Sequence, residues 1–278
     1  MTGVHRRRGR LSKEGRRLLG GLALLAVFTP VTAYTLNAAI AHVQSCGTEV
    51  ALHVAAAPEL AAALEDFVAA GGGAPSRGSD VCADITVEAV SGNALGETDA
   101  DVWIPETQLW RNLPDAGLHE QWEVLQDSTA SSAVGLALPA GESADAVLPD
   151  EADVALQDPR QHAASLMWII MFGVDEHTAQ GGDGTAVMSA TEAAGNPDLQ
   201  APTGAAQVGQ FEYPMLARAD LGEDEREAAQ NLLRSYKGES YGRVLAEHGL
   251  GTAISQSAPT SPEIIASALQ SWDAREDA

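Results

Sequence analysis

The chain has 278 residues, enough for one large domain or two small ones with a substantial core. Its formal net charge is −23, and hydrophobic residues make up 45% of it, with aromatic residues only 5%. An acidic balance of this size argues against a nucleic-acid-binding surface, because phosphate binding requires clustered lysine and arginine. The composition instead predicts a solvated acidic surface over a core of small aliphatic side chains.

The first 45 residues have the pattern of a membrane tether. Residues 1–17 hold seven basic residues and one acidic residue, and residues 18–43 contain no Asp, Glu, Lys or Arg. A bilayer-spanning helix needs about 20 apolar residues, and basic residues on its N-terminal side place that end in the cytoplasm. We therefore predict a basic cytoplasmic tail (1–17), one transmembrane anchor (18–43) and an extracytoplasmic body at the plasma membrane. A signal peptide cleaved near Ala33 and a lipoprotein acceptor at Cys46 are the alternatives, and both also export the body.

Two cysteines, Cys46 and Cys82, are the only ones in the sequence. An even pair in an exported protein indicates a disulfide. Each cysteine precedes a predicted strand, and the starting ends of those strands lie close together if the strands are neighbours. We therefore predict a Cys46–Cys82 disulfide, with two free thiols as the alternative.

The segment that follows has the pattern of a parallel β-α-β unit. Apolar residues alternate over 49–57, and an amphipathic helix then begins at Pro58 and ends at a run of three glycines. A second strand is predicted over 83–90 and a third in the stretch ADVWIPETQLW (100–110), where Pro105 ends it. Only residues 91–99 join the second and third strands, which is short for a parallel crossover. A further helix is predicted to start at Leu109.

The patterns beyond the third strand predict one more strand, over 134–139, and then four helices. The first of these is QHAASLMWIIMFG, which is apolar almost all round and is therefore predicted to be buried between layers. We interpret His162 at its start as a capping or surface residue. The other helices are predicted over 223–236, 239–248 and 261–272.

No motif typical of catalysis or metal binding stands out. Gly-x-Ser-x-Gly is absent, and no motif ties a histidine to a serine. Residues 175–184 hold three acidic residues and a histidine among glycines, but the spacing fits neither an EF-hand nor a zinc site. The sequence therefore predicts a protein that is not an enzyme and that carries no cofactor and no metal.

Several short stretches resemble one family. ADVWIPETQLW is similar to the DVWIP-acid-Ser/Thr-x-LW segment of actinobacterial extracellular solute-binding proteins, many of which carry a von Willebrand factor A domain downstream. STASSAVGLALP (128–139) resembles that family's IASSPVVLAVP, and Asp158-Pro159 and Tyr213-Pro214 match two further short motifs. The resemblance implies an α/β, two-lobed, periplasmic-binding-protein-like (type II) fold preceded by the transmembrane helix. No D-x-S-x-S metal loop is present, so the von Willebrand domain is expected to be missing.

The resemblance also implies where the lobes and the ligand lie. Lobe 1 would comprise 46–139 plus 215–278 and lobe 2 would comprise 140–214, with the chain crossing near 131–139 and 212–214. A small polar solute would sit between the lobes at the carboxyl ends of the strands, where helix N-termini near Pro58 and Thr107 add positive partial charge. The residues predicted to bind it are Ala57, Glu106, Thr107, Ser131, Ser132 and Tyr213. For the serines, a turn that bonds its own backbone is the alternative.

A second functional hypothesis belongs to a different class. The chain could be a scaffold or interaction module of the cell envelope that binds another envelope protein. In that case the space between the lobes would be filled by side chains such as Trp110. The short crossover over 91–99 favours this alternative.

Overall fold

The computed structural model describes residues 47–75, 79–114, 117–142, 149, 152–175, 177–180, 185–254 and 261–276. Residues 48–278 form one structural unit. Within the described ranges no helix has the length and apolar character to cross a bilayer. The predicted anchor over 18–43 and its two alternatives lie outside these ranges.

The elements follow in chain order. From Thr48 to Pro139 they are β1 (Thr48–Ala56), α1 (Pro58–Ala69), β2 (Val81–Ala89), a 3-10 helix (Gly92–Glu97), β3 (Val102–Ile104), α2 (Leu118–Gln121), β4 (Trp122–Gln126) and β5 (Ala130–Pro139). From Val154 onward they are β6 (Val154–Leu156), α3 (Ala163–Phe172), β7 (Thr178–Gln180), β8 (Thr185–Ser189), α4 (Ala190–Ala194), β9 (Leu199–Gln200), another 3-10 helix (Gly204–Ala206), β10 (Gln207–Phe211), β11 (Met215–Arg218), α5 (Glu223–Ser235), α6 (Glu239–Glu247), β12 (Gly251–Thr252) and α7 (Pro262–Glu276).

The first sheet has the strand order β2-β1-β3-β11-β4. β1 is parallel to both β2 and β3, so the predicted β-α-β unit is confirmed. α1 starts with Pro58, and the missing proline N–H costs nothing there because the first N–H groups of a helix have no partner within the helix. The helix buries Leu60, Leu64 and Phe67. β11 runs antiparallel to β3 and β4, because the chain re-enters this sheet late from the opposite direction.

The helix predicted from Leu109 is wrong. Residues 108–112 form a turn in which the Asn112 N–H points to the carbonyl oxygen of Gln108 at 3.3 Å, and the chain reaches Pro114 without a further helical turn. The short crossover between β2 and β3 is a 3-10 helix, and its Gly92 lies against the indole of Trp110. A Cβ atom at Gly92 would lie 2.1 Å from Trp110 Cδ1, so only glycine fits there.

The second sheet has the order β10-β5-β8-β6-β7, with β9 and β12 also paired to β5. β5 therefore lies in the second sheet, although the sequence assigned it to lobe 1. The final helix α7 packs against α3, and an ion pair of 2.8 Å joins Asp273 of α7 to Arg160, which lies in the turn before α3. The C-terminal helix, which the sequence assigned to lobe 1, therefore contacts an element between the two crossings, and the lobe boundaries stay a prediction.

α3 is buried on one side only. Leu166, Trp168 and Ile169 are in the core, whereas Met171 is 51% and Phe172 41% exposed, which corrects the prediction of a helix buried all round. The cap prediction is confirmed, since the Ser165 N–H donates to the His162 ring at the start of α3. The three C-terminal helices are also confirmed, in α5, α6 and α7.

The cysteine pairing stays a prediction. Among the described residues there is no free cysteine. Cys82 lies in β2, and Cys46 lies outside the described residues.

Candidate functional site

Three segments meet where the chain crosses between the two sheets. Residues 212–214 lead from β10 to β11, and they run beside the start of β5. The Thr129 hydroxyl donates to the Tyr213 carbonyl oxygen at 2.6 Å, and the Tyr213 N–H donates to the Glu106 carbonyl oxygen at 3.1 Å. Tyr213 adopts φ 44°, an uncommon conformation for a residue other than glycine. The second crossing therefore lies at 212–214, where the resemblance predicted it, whereas the first lies at 127–129, between β4 and β5, just before the predicted 131–139. Hydrogen bonds join the two crossings to each other.

A carboxylate of the chain itself occupies the carboxyl end of β1. Glu59 in the first turn of α1 accepts hydrogen bonds from the Tyr213 hydroxyl, at 2.5 Å, and from the Ser189 hydroxyl at the end of β8. Burial raises the pKa of Glu59, and burial together with the adjacent Glu59 raises that of Tyr213. These bonds connect the first sheet directly to the second, so this end of the cleft is closed by protein groups.

The predicted binding residue Ala57 is part of the same closed end. Its N–H donates to the carbonyl oxygen of Ile104 at 2.8 Å, and its side chain is fully buried. The Ala57 N–H is therefore not available to a ligand, because it already donates to the last carbonyl oxygen of β3.

The two predicted serines are also satisfied within the protein. The Ser131 hydroxyl donates to the Thr252 carbonyl oxygen at 2.7 Å, and the Ser132 hydroxyl bonds Thr191 Oγ1 at 3.1 Å. Nearby, the Ser128 hydroxyl donates to the Ala130 carbonyl oxygen, as expected of a turn serine. The hydroxyls thus hold the crossing together.

Glu106 lies close enough to Glu59 for the two carboxyls to interact, and it is only partly exposed to solvent. Its Oε2 accepts a hydrogen bond of 2.8 Å from Trp110 Nε1. Burial, reinforced by the nearby carboxylate of Glu59, raises the pKa of Glu106 to about 7. The Glu106 carboxyl therefore keeps its proton to a higher pH than an exposed glutamate does.

Thr107 contacts Glu212, which belongs to the crossing segment 212–214. The sequence indicated Glu212 only as a member of that segment and not as a site residue. The Thr107 hydroxyl donates to Glu212 Oε1 at 3.0 Å, and the Gln108 N–H donates to the same oxygen at 3.0 Å. Burial raises the pKa of Glu212. The signal in the sequence was a single charge within the otherwise apolar stretch around Phe211 and Tyr213.

A cavity of about 460 Å³ opens beside Glu212. Both lobes contribute to it: the turn after β3 forms one wall, and α3 and β10 form the other. Its lining residues are Thr107, Gln108, Leu109, Met167, Ile170, Met171, Gly204, Gln207, Val208, Gly209, Gln210, Glu212 and Ile254. Of the six residues predicted to bind ligand, only Thr107 lines this cavity.

Two α/β lobes joined by crossing segments, with a cavity between them, define the fold class of periplasmic solute-binding proteins. Among solved structures, a periplasmic thiamin-binding protein is similar, with 10% identity over 81% of this chain and 95% of that chain and a TM-score of 0.51. The sulfate-binding protein SubI from Mycobacterium tuberculosis is also similar, with 16% identity over 83% and 98% of the two chains and a TM-score of 0.48. At 10% identity, the likeness to the thiamin-binding protein shows the fold alone. No protein-family model matches the chain, and no curated protein matches it.

Replacing Tyr213 with phenylalanine should lower the free energy of unfolding by about 1–2 kcal/mol, because Glu59 loses a hydrogen-bond donor in a buried position. Urea unfolding of the two proteins measures this difference. Tyr236→Phe is a matched control, since the buried Tyr236 hydroxyl has no hydrogen-bond partner among the described residues. An equal cost for both changes would contradict the role of the Tyr213–Glu59 bond.

Proposed function

We propose that this protein is an extracytoplasmic solute-binding protein that holds a small polar ligand in the cavity beside Glu212. The observation that carries the proposal is the cavity itself, lined by both lobes at the point where the chain crosses between them. Its volume falls in the range of small-molecule sites, about 300–1,000 Å³, and its lining combines apolar side chains with polar ones that can orient a ligand, among them Thr107, Gln108 and Glu212.

The sequence supports the cellular setting of this proposal. The basic tail and the uncharged run over 18–43 would tether the body to the plasma membrane, with the N-terminus in the cytoplasm. We also propose that the protein is not an enzyme, which agrees with the solute-binding role named for the thiamin-binding neighbour.

A scaffold role is the second candidate, and a specific observation favours it. The position at the ends of β1 and β3, where the sequence placed the ligand, is closed by Glu59, Tyr213 and Ser189. Trp110 is buried behind it with 1% exposure. In that role the body would bind another protein of the envelope, and the cavity beside Glu212 would hold only solvent.

Thermal unfolding of the purified full chain separates the two candidates. Inorganic ions, sugars, amino acids and amines are tested on the wild type, on Ile170→Trp, which fills the cavity, and on Ile264→Trp, the same change at an exposed position of α7. We expect at least one compound to raise Tm in the wild type and in Ile264→Trp but not in Ile170→Trp. A ligand at 100 times its Kd would add about 2.7 kcal/mol of stability. If no compound raises Tm, or if Ile170→Trp responds equally, the ligand proposal is contradicted and the scaffold is favoured.

A further inference from the structure

The only charged side chain in the described lining of the cavity beside Glu212 is acidic. Among the described residues that line it, Glu212 is the only one with an acidic or basic side chain. Just behind it, Asp127 accepts a hydrogen bond of 3.2 Å from the Gln108 side chain, and its negative charge acts on Glu212. The carboxylate would therefore repel an anionic ligand, and the described lining holds no lysine, arginine or histidine that could attract one.

Glu212 is buried but keeps one oxygen that other residues leave unbonded. The residue is 6% exposed, and the hydrogen bonds that Thr107 and Gln108 donate to its side chain both end on Oε1. Its own backbone N–H also stabilises the carboxylate. Within the described part of the chain, no hydrogen bond from another residue ends on Oε2, and Glu212 forms no ion pair. Buried carboxylates are normally paired with a cation or with several donors. This one has room in front of it for a cationic partner.

The wall opposite the carboxylate is apolar. Met167, Ile170 and Met171 project from one face of α3, and Leu109 and Val208 continue the surface. No aromatic ring is among the described lining residues, so the aromatic cage that binds quaternary ammonium groups is missing. A primary ammonium group differs from a quaternary one because it can donate hydrogen bonds to a carboxylate.

From these contacts we propose that the ligand of this cavity is an organic cation with a primary ammonium group and an apolar body. The ammonium donates to Glu212 Oε2, and the apolar body packs on Met167, Ile170 and Met171. A neutral solute of the same shape would leave the carboxylate without a counter-charge. This inference rests on the proposed function and names the ligand class of the same cavity.

Three probes of equal chain length test the charge: hexylammonium, hexan-1-ol and hexanoate. Calorimetric titration of the full chain at neutral pH should show binding of hexylammonium and at least tenfold weaker binding of the other two, since a hydrogen bond to a charged group contributes about 1.5–3 kcal/mol. Glu212→Gln should weaken hexylammonium binding at least tenfold. Glutamine still offers an oxygen to Thr107 and Gln108 but presents an NH₂ donor to the ligand.

A second variant tests the same inference even if Glu212→Gln fails to fold. Met171→Lys brings an ammonium group into the cavity wall and should compete with hexylammonium, whereas Met171→Gln should not. If hexan-1-ol or hexanoate binds as well as hexylammonium, and Ile170→Trp abolishes that binding, the cation inference fails while the proposed function stands. If none of the three binds, the cation inference fails, and the wider ligand screen then decides the proposed function.

Discussion

Replacing Trp110 with alanine should lower the free energy of unfolding by about 3–5 kcal/mol, the usual cost of deleting a large buried aromatic side chain. The indole is 1% exposed and packs against Gly92 in the 3-10 helix between β2 and β3. It also donates a hydrogen bond to Glu106, so its removal leaves a buried carboxyl with one partner fewer. For a body of this size the change corresponds to a fall in Tm on the order of 10 °C.

Trp110→Phe is the matched control for this prediction. Phenylalanine keeps most of the buried ring but lacks the N–H group, so this variant isolates the bond to Glu106. It should lose about 1–3 kcal/mol, less than the alanine variant. Urea unfolding followed by circular dichroism measures both. An alanine variant within 1 kcal/mol of the wild type would show that Trp110 does not support the closed end of the cleft.

The protein should become less stable as pH rises from 5.5 to 8. Burial raises the pKa of Glu106 from 4.5 to about 7, and burial also raises the pKa of Glu59 and of Glu212. Between about pH 4.5 and 7 the folded protein keeps a proton on Glu106 that the unfolded chain has released. The folded state thus binds more protons, and stability falls with pH. Glu106 alone should account for about 2 kcal/mol over this range, and the other two carboxyls act in the same direction.

Unfolding free energies at several pH values test the sign and the source of this effect. Glu106→Gln removes the titrating group and should flatten the dependence of unfolding free energy on pH. His162 and Glu192 lie near the same cluster and are present in both proteins, so the difference between the two curves reports on Glu106. Glu65→Gln, on the exposed face of α1, should leave the curve unchanged. Stability that rises from pH 5.5 to 8 in the wild type would show that the fold does not raise the pKa of Glu106.

Both predictions concern the closed end of the cleft, whereas the ligand proposal concerns the open cavity on the other side of the crossing. The two sides use different carboxyls. Glu59 and Glu106 accept hydrogen bonds from protein donors, whereas Glu212 lines the open cavity. A variant that opens the closed end therefore need not alter ligand binding, and a variant at Glu212 need not loosen the contact between the lobes.

Local patterns in the sequence were sufficient to predict most of the elements. Alternation of apolar residues identified β1, β2 and β5, and Pro58 and Pro262 marked the starts of two helices. These features depend on neighbours a few residues apart, so one stretch of chain carries the whole signal. The helix predicted at Leu109 failed for the opposite reason. Its first polar groups, on Thr107 and Gln108, bond Glu212, which lies 105 and 104 residues away.

Only the tertiary structure decided which polar groups meet. Tyr213 was predicted to bind ligand, but its hydroxyl bonds Glu59, a residue 154 positions earlier that in sequence looked like an ordinary acidic residue at a helix start. Glu212 was visible only as part of a crossing segment, and its burial comes from the packing of α3, β10 and the turn after β3 around it. The pairing of a buried carboxyl depends on how two lobes dock, and docking depends on long-range contacts that no local spacing encodes. The sequence by itself therefore determined most of the elements and the crossing at 212–214, whereas the sheet that holds β5, the closed end and the open cavity follow from tertiary packing.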